Sequence, residues 1–285
     1  VSAPGARVAL VTGCSSGIGR ATALRLDASG WSVHAGVRTT ADAESLAAAG
    51  SERLLPLILE VTDSGSIAAA AERIDAGSTA GLGALVNNAG VAYTGPLEFV
   101  PLDELRSQLE VNLTGQVAVT QAMIPALRRA GGRIVNITSI GGIVATPFFG
   151  PYNASKYGLE AIGDCLRVEL RPWGIETITI EPGSIATEIW DSGMAQFDRT
   201  EQRMPAEARS LYGRAIESLR RGAEETGERG IPADRVAAVI ERAITAERPR
   251  ARYRVGRDAH LMATLSRILP DRVWDRVIAR IMRLP

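Results

Sequence analysis

Short apolar runs of strand length recur at residues 8–12, 32–37, 54–59, 84–87, 133–138, 177–181 and 253–255, with longer amphipathic stretches of helical period between them. Parallel strands cannot be joined by tight turns. They need crossovers, and helical crossovers cover both faces of the sheet that they connect. The chain is therefore expected to form an α/β fold, a doubly wound (Rossmann) parallel sheet of about seven strands with helices on both faces. Its 285 residues fit a single domain. In such sheets ligands lie beyond the carboxyl ends of the strands, so the residues that follow strands carry the functional interest.

Two regions break the rhythm. From 187 to 230 the sequence is polar, with Trp190, Met194, Phe197, Met204 and Leu211 scattered through it. Long excursions in compact domains tend to be functional, and this one is expected to be a lid over the pocket. A helical extension is expected over about 257–285, where Leu261, Met262, Leu265, Ile268 and Leu269, then Val273, Trp274, Val277, Ile278, Ile281 and Met282, follow helical spacing on either side of Pro270. Arg272, Arg276, Arg280 and Arg283 line the polar face of its second half. That face allows contact with an anionic membrane surface, but Asp271 and Asp275 dilute its charge, which favours docking on the protein body or a second subunit.

Composition removes several classes. The formal net charge is zero, which argues against a general nucleic-acid binder. Cys14 and Cys165 are far apart and have no metal-ligand spacing around them, so reduced thiols and no metal site are expected. No basic leader precedes a long apolar stretch, and no run of about 18 apolar residues occurs, which places the expected location in the cytoplasm.

Directly after the first strand comes Thr12-Gly13-Cys14-Ser15-Ser16-Gly17-Ile18-Gly19, then a helical stretch from Arg20 to Ala28. Glycines let the backbone approach a pyrophosphate, and the free amides at the start of the following helix attract that anion. This loop is read as a dinucleotide site. About 20 residues further on, an acidic residue would bind the ribose 2′-hydroxyl of NAD. Here Val37 is followed by Arg38, whose guanidinium suits a 2′-phosphate, so NADP(H) is favoured over NAD(H).

Of 32 cationic Lys and Arg residues only one is a lysine, Lys156, and it lies four residues after Tyr152 in Tyr152-Asn153-Ala154-Ser155-Lys156. On a helix that offset puts both side chains on one face, where the ammonium favours the ionised phenol. A tyrosine so placed can exchange protons.

These motifs, with Asn87-Asn88-Ala89-Gly90, Asn112, Ser139 thirteen residues before Tyr152, and the run from Pro182 to Thr187, resemble the short-chain dehydrogenase/reductase family over about residues 6–183. The pattern is most similar to the hydroxysteroid and retinol dehydrogenase branch. The resemblance implies an oxidoreductase in which Tyr152 is the general acid and base, and Lys156 lowers its pKa and grips the nicotinamide ribose. It also implies that Ser139 donates to the substrate oxygen and that Asn112 holds a water linking Lys156 to solvent. The implied cofactor contacts are Gly13, Ser15, Ser16, Gly17, Ile18, Gly19, Arg38, Asn88, Ala89 and Gly90, with Pro182, Gly183, Ile185 and Thr187 near the nicotinamide. Glu60 before Val61 departs from the Asp common at the adenine contact.

Gly141, Ile143, Val144, Phe148, Phe149 and Trp190 are the expected substrate-side residues, with few polar groups among them. They point to a small hydrophobic ketone, aldehyde or alcohol, of steroid, retinoid or aryl-ketone kind. The competing readings are an NAD(H)-preferring alcohol dehydrogenase of the same family and a non-catalytic sensor of NADPH. The resemblance also implies a homo-oligomer.

Overall fold

The computed structural model describes residues 7–187 and 189–282, without the side chains of 189–192 and 226–229. Seven parallel strands form one sheet: β1 (Val8–Val11), β2 (Ser32–Val37), β3 (Leu54–Ile58), β4 (Ala84–Asn87), β5 (Arg133–Ile137), β6 (Glu176–Pro182) and, after a longer excursion, the strand Arg252–Val255. The order β3-β2-β1-β4-β5-β6 is completed by that last strand, which pairs with β6. β1 lies beside both β2 and β4, so the strand order reverses between β1 and β4 and a crevice opens at their carboxyl ends.

Side chains alternate across the sheet into two cores. Ala9 and Val11 of β1 enter one, Leu10 the other, and all three are fully buried. A strand buried on both faces reads as a continuous apolar run, which is why these strands are visible in the sequence. Pro56 sits inside β3 because that strand is at the sheet edge, where a missing N–H costs no ladder bond.

Helices α1 (Gly17–Ala28), α2 (Thr40–Ala47), α3 (Ser64–Gly77), α4 (Leu102–Leu109), α5 (Gly115–Ala130) and α6 (Gly150–Glu169) connect the first six strands. Between α4 and α5 the backbone makes a π-helical turn, Glu110–Thr114.

The region expected to be a lid is a helical hairpin, α7 (Ile189–Arg203) and α8 (Ala206–Arg229), flanked by the two-residue strands β7 (Ile185–Ala186) and β8 (Ile231–Pro232), which pair with each other. It is packed rather than loose. Phe197 is fully buried, its ring 3.3 Å from where a Cβ on Gly95 would stand, and Gly95 has φ +146°. The Thr200 hydroxyl donates to the carboxylate of the buried Glu104 of α4, lying 2.7 and 2.8 Å from its two oxygens. Trp190 lies on α7, but its side chain is outside the described residues.

Helix α9 (Ala233–Thr245) covers α1 and leads into the seventh strand, β9 (Arg252–Val255). The C-terminal extension is α10 (Arg257–Ile268) and α11 (Asp271–Ile281), broken at Pro270 as its spacing predicts. Ile278 of α11 is buried, and a groove of about 270 Å³ between α11 and the loop after β5 is lined by Trp274, Asp275, Ile278, Ala279, Ala145 and Pro147. The extension thus docks on the body of the protein. Among the described residues, no helix is long and apolar enough to cross a membrane.

Candidate active site

The glycine loop lies at the crevice between β1 and β4. Gly13 has φ +69°, and a Cβ there would come within 2.8 Å of Ala89 Cα, so only glycine lets the two strand ends approach this closely. Gly17 also has positive φ, and a Cβ on Gly19 would collide with the Gly13 carbonyl. The Thr12 hydroxyl accepts the N–H groups of Asn88 and Ala89, both at 2.9 Å, while Asn88 Nδ2 donates to the carbonyls of Thr12 and Gly13 at 2.9 and 3.0 Å. Gln116 Nε2 holds the Ala89 carbonyl. The floor is therefore rigid.

Helix α1 starts at Gly17, three residues before the expected start, and its N-cap Ser16 makes no side-chain capping bond. The first amides of α1 therefore remain available to an anion, with Ser15 exposed and Ser16 and Ile18 half-buried beside them. Arg38 is exposed immediately after β2. Val61 is buried, and Glu60 turns back to accept from the Thr62 N–H and hydroxyl at 3.2 and 3.1 Å. At the other end, Gly183 packs against Asp258 of α10, whose carboxylate accepts the Ser184 N–H at 2.7 Å. Ile185 is buried in β7, and Thr187 is half-buried just beyond it. A loop bare of Cβ atoms at Gly13, Gly17 and Gly19, uncapped helix amides and an exposed arginine past β2 fit a dinucleotide phosphate chain.

Beyond β5 the polar side chains converge. Ser139 accepts the Gly141 N–H at 3.0 Å, and its Oγ and the Tyr152 ring both lie within 3.5 Å of where a Cβ on Gly141 would stand. Lys156, 5% exposed, donates from Nζ to the Ile137 carbonyl at 2.8 Å, with the ammonium 5.7 Å from the Tyr152 ring centre. Asn112 sits in the π turn, which resolves its awkward mid-helix position. There Oδ1 accepts the Val91 N–H at 2.8 Å, and Nδ2 donates to the Val91 carbonyl and the Ser155 hydroxyl at 3.0 and 3.2 Å. Gly90 packs against the Asn112 amide.

Without a dinucleotide beside it, the phenol of Tyr152 is raised above its ordinary value: burial dominates, and Ser139 offsets it only in part. Lys156 is pushed down to about 8 by burial, with the Glu160 carboxylate pulling the other way.

On the substrate side, Gly141 is buried, and a Cβ there would lie 3.3 Å from the Tyr152 ring and 3.5 Å from Ser139 Oγ. Its bareness keeps the space beside the polar pair open. Val144 is buried, while Ile143 and Phe149 are half-buried. Phe148 has φ +69°, a strained conformation for a bulky residue; its carbonyl accepts the Gly95 N–H at 2.7 Å, and its ring meets Tyr212 of α8 edge-on at 6.2 Å. Phe148 thus joins the loop to the helical hairpin. Sequence reasoning missed Tyr212, Asp258 and Glu160, because the partners that fold against them are remote in sequence.

Residues 7–196 match the short chain dehydrogenase family. The chain is 36% identical over 280 residues to an NADPH-dependent 3-dehydrocapnine reductase of Ornithobacterium rhinotracheale, covering 95% of each chain. It is 37% identical over 285 residues to retinol dehydrogenase 5 of Mus musculus, covering 96% of this chain and 88% of the relative. Among solved structures, a short-chain dehydrogenase from Streptomyces avermitilis superposes with a TM-score of 0.75 at 29% identity, covering 98% of this chain and 95% of that one. The protein belongs to the short-chain dehydrogenase family, on a branch shared with retinol and hydroxysteroid dehydrogenases.

Proposed function

We propose that the protein is an NADP(H)-dependent oxidoreductase that interconverts a hydrophobic ketone or aldehyde and its alcohol, with Tyr152 as general acid and base. The observation that carries this reading is the meeting of Tyr152, Ser139 and Lys156 beyond β5, on the same side of the sheet as the glycine cradle after β1. When bound, the dinucleotide supplies or takes up the hydride.

The protein's own residues handle the proton. A carbonyl oxygen beside Gly141 lies within reach of Ser139 and Tyr152, and both hydroxyls stabilise the charge that grows on it. A phenol carries its proton near neutrality and can donate it to that oxygen in the reducing direction. Lys156 supplies the nearby positive charge, and the Asn112 amide, tied to Val91 and Ser155, braces the segment behind it. Val144, Ile143 and Phe149 line the substrate side with apolar surface. NADP(H) is preferred because Arg38 can pair with a 2′-phosphate; the NADPH dependence named for the Ornithobacterium relative supports the same choice.

Turnover of steroid, retinoid and aryl ketones should be measured with NADPH and with NADH. Tyr152→Phe is expected to lower kcat by about 100-fold or more while leaving dinucleotide affinity intact. Arg38→Asp is expected to weaken NADPH by at least about 10-fold and spare NADH. Undiminished turnover in the first variant refutes the mechanism, and an unchanged cofactor ratio in the second refutes the preference.

A further inference from the structure

Tyr152, Lys156, Glu160 and Asp164 stand four residues apart along α6 and so form one stripe on that helix. The end of β5 and the residues after it meet them in turn: Ile137 takes the Lys156 ammonium, Ser139 lies beside Tyr152, and the Thr138 hydroxyl donates to Glu160 Oε1 at 2.6 Å. The functional reading uses the first two pairs and leaves the third without a role. Glu160 is only 6% exposed, and a buried carboxylate without a task is an expensive group to keep.

Its oxygens are taken up by the groups around it, while burial raises the carboxyl above its ordinary value on balance. Arg252 of β9 donates from Nε to Glu160 Oε2 at 3.1 Å and from its other arm to Asp164 at 2.7 Å. Glu181 of β6, fully buried, shares Arg252 with Glu160 and is paired with Arg254 at 2.8 Å. Arg167 binds Asp164 at 2.7 Å. Burial and Glu181 push the Glu160 carboxyl up, while Thr138 and Arg252 hold it down. On the other side, a Cβ on Gly142 would lie 3.0 Å from the Lys156 carbonyl and 3.2 Å from Glu160 Cγ, so the turn after Ser139 is pressed directly onto this part of the stripe.

We propose that Glu160 is a positioning residue for Lys156: seated one helical turn further along α6 and anchored by Thr138 and Arg252, its carboxylate keeps the buried ammonium charged at working pH. The proposal rests on Lys156 serving Tyr152. It adds a proton-holding group outside the reacting atoms, and it links the catalytic helix to the last strand of the sheet. Glu160 acts through space, across a distance typical of i, i+4 neighbours, in a site from which water is largely excluded.

The chain offers an unusually direct test, because Lys156 is its only lysine. Protein grown on lysine ¹³C-labelled at Cε gives one signal, whose shift follows the ionisation of the Lys156 ammonium and whose pH titration in the intact protein needs no assignment. Glu160→Gln is expected to lower its midpoint by about one pH unit relative to the parent, with Glu160→Asp restoring most of the shift. Thr138→Val, which leaves the carboxylate in place but removes its hydrogen bond, is expected to move the midpoint the same way by less. Should Glu160→Gln not fold, the Thr138→Val titration decides the matter. Midpoints equal to the parent's in the folded Glu160→Gln or Thr138→Val variants overturn the proposal. A shifted midpoint with an unchanged pH profile of kcat/KM instead keeps the Glu160–Lys156 coupling and removes Lys156 from the service of Tyr152.

Discussion

Lys156 was legible at the level of single residues because composition made it an exception, and Tyr152 because of its spacing from it. The direction of the tyrosine's shift was not legible, since desolvation depends on what the fold stacks around a group and not on its sequence neighbours. His34 on β2 obeys the same physics with a consequence for stability. It is 4% exposed, and burial, followed by the charge of Arg73, moves its pKa from 6.5 to about 4. Between those values the unfolded chain binds a proton that the folded chain refuses. The stabilisation from keeping His34 neutral is therefore complete above about pH 6.5 and is lost as pH falls towards 4, amounting to roughly 3 kcal/mol at most. Urea denaturation is expected to show falling stability through that window, with the His34 ring signal in NMR still that of the neutral form at pH 5. A ring that titrates near 6.5 contradicts this assignment.

At the scale of elements, the strands were readable because parallel strands covered on both faces carry unbroken apolar runs. The short β7 and β8 were not, since two residues carry no periodicity. The polar stretch after β6 was read as a lid, but its order as a hairpin of two helices comes from buried residues spread thinly along α7 and α8. Phe197 is the pivot of that packing, closed over by Gly95 on one side and by the Arg220 guanidinium 5.3 Å from its ring centre on the other. Phe197→Ala is expected to cost about 3–5 kcal/mol of unfolding free energy if the hairpin and sheet unfold together. A loss below about 1 kcal/mol in calorimetry would show that α7 opens independently of the core, and faster proteolysis between α7 and α8 would accompany it.

Across the whole molecule, the C-terminal extension reaches the site at two separated places. Asp258 of α10 fixes the turn after β6 through the Ser184 amide, and α11 lays Trp274 and Ile278 beside Ala145 and Pro147, in the loop that runs from Ser139 to Tyr152. The two contacts meet different segments of the proposed reaction centre, the turn after β6 on its nicotinamide flank and the loop after β5 on its substrate flank, so they are separable by experiment. Trp274 is half-buried at the edge of the groove, so replacing it with alanine widens the groove without unpairing a buried charge. Trp274→Ala is therefore expected to raise KM for a bulky steroid or retinoid ketone several-fold, the worth of one lost apolar contact surface, while a small aryl ketone keeps its KM. Affinity for NADPH, set at the other flank, is expected to stay at the parent value. Equal KM changes for large and small ketones would instead mean that α11 acts on the loop's conformation as a whole, and a change confined to NADPH would place its influence at the Asp258 turn.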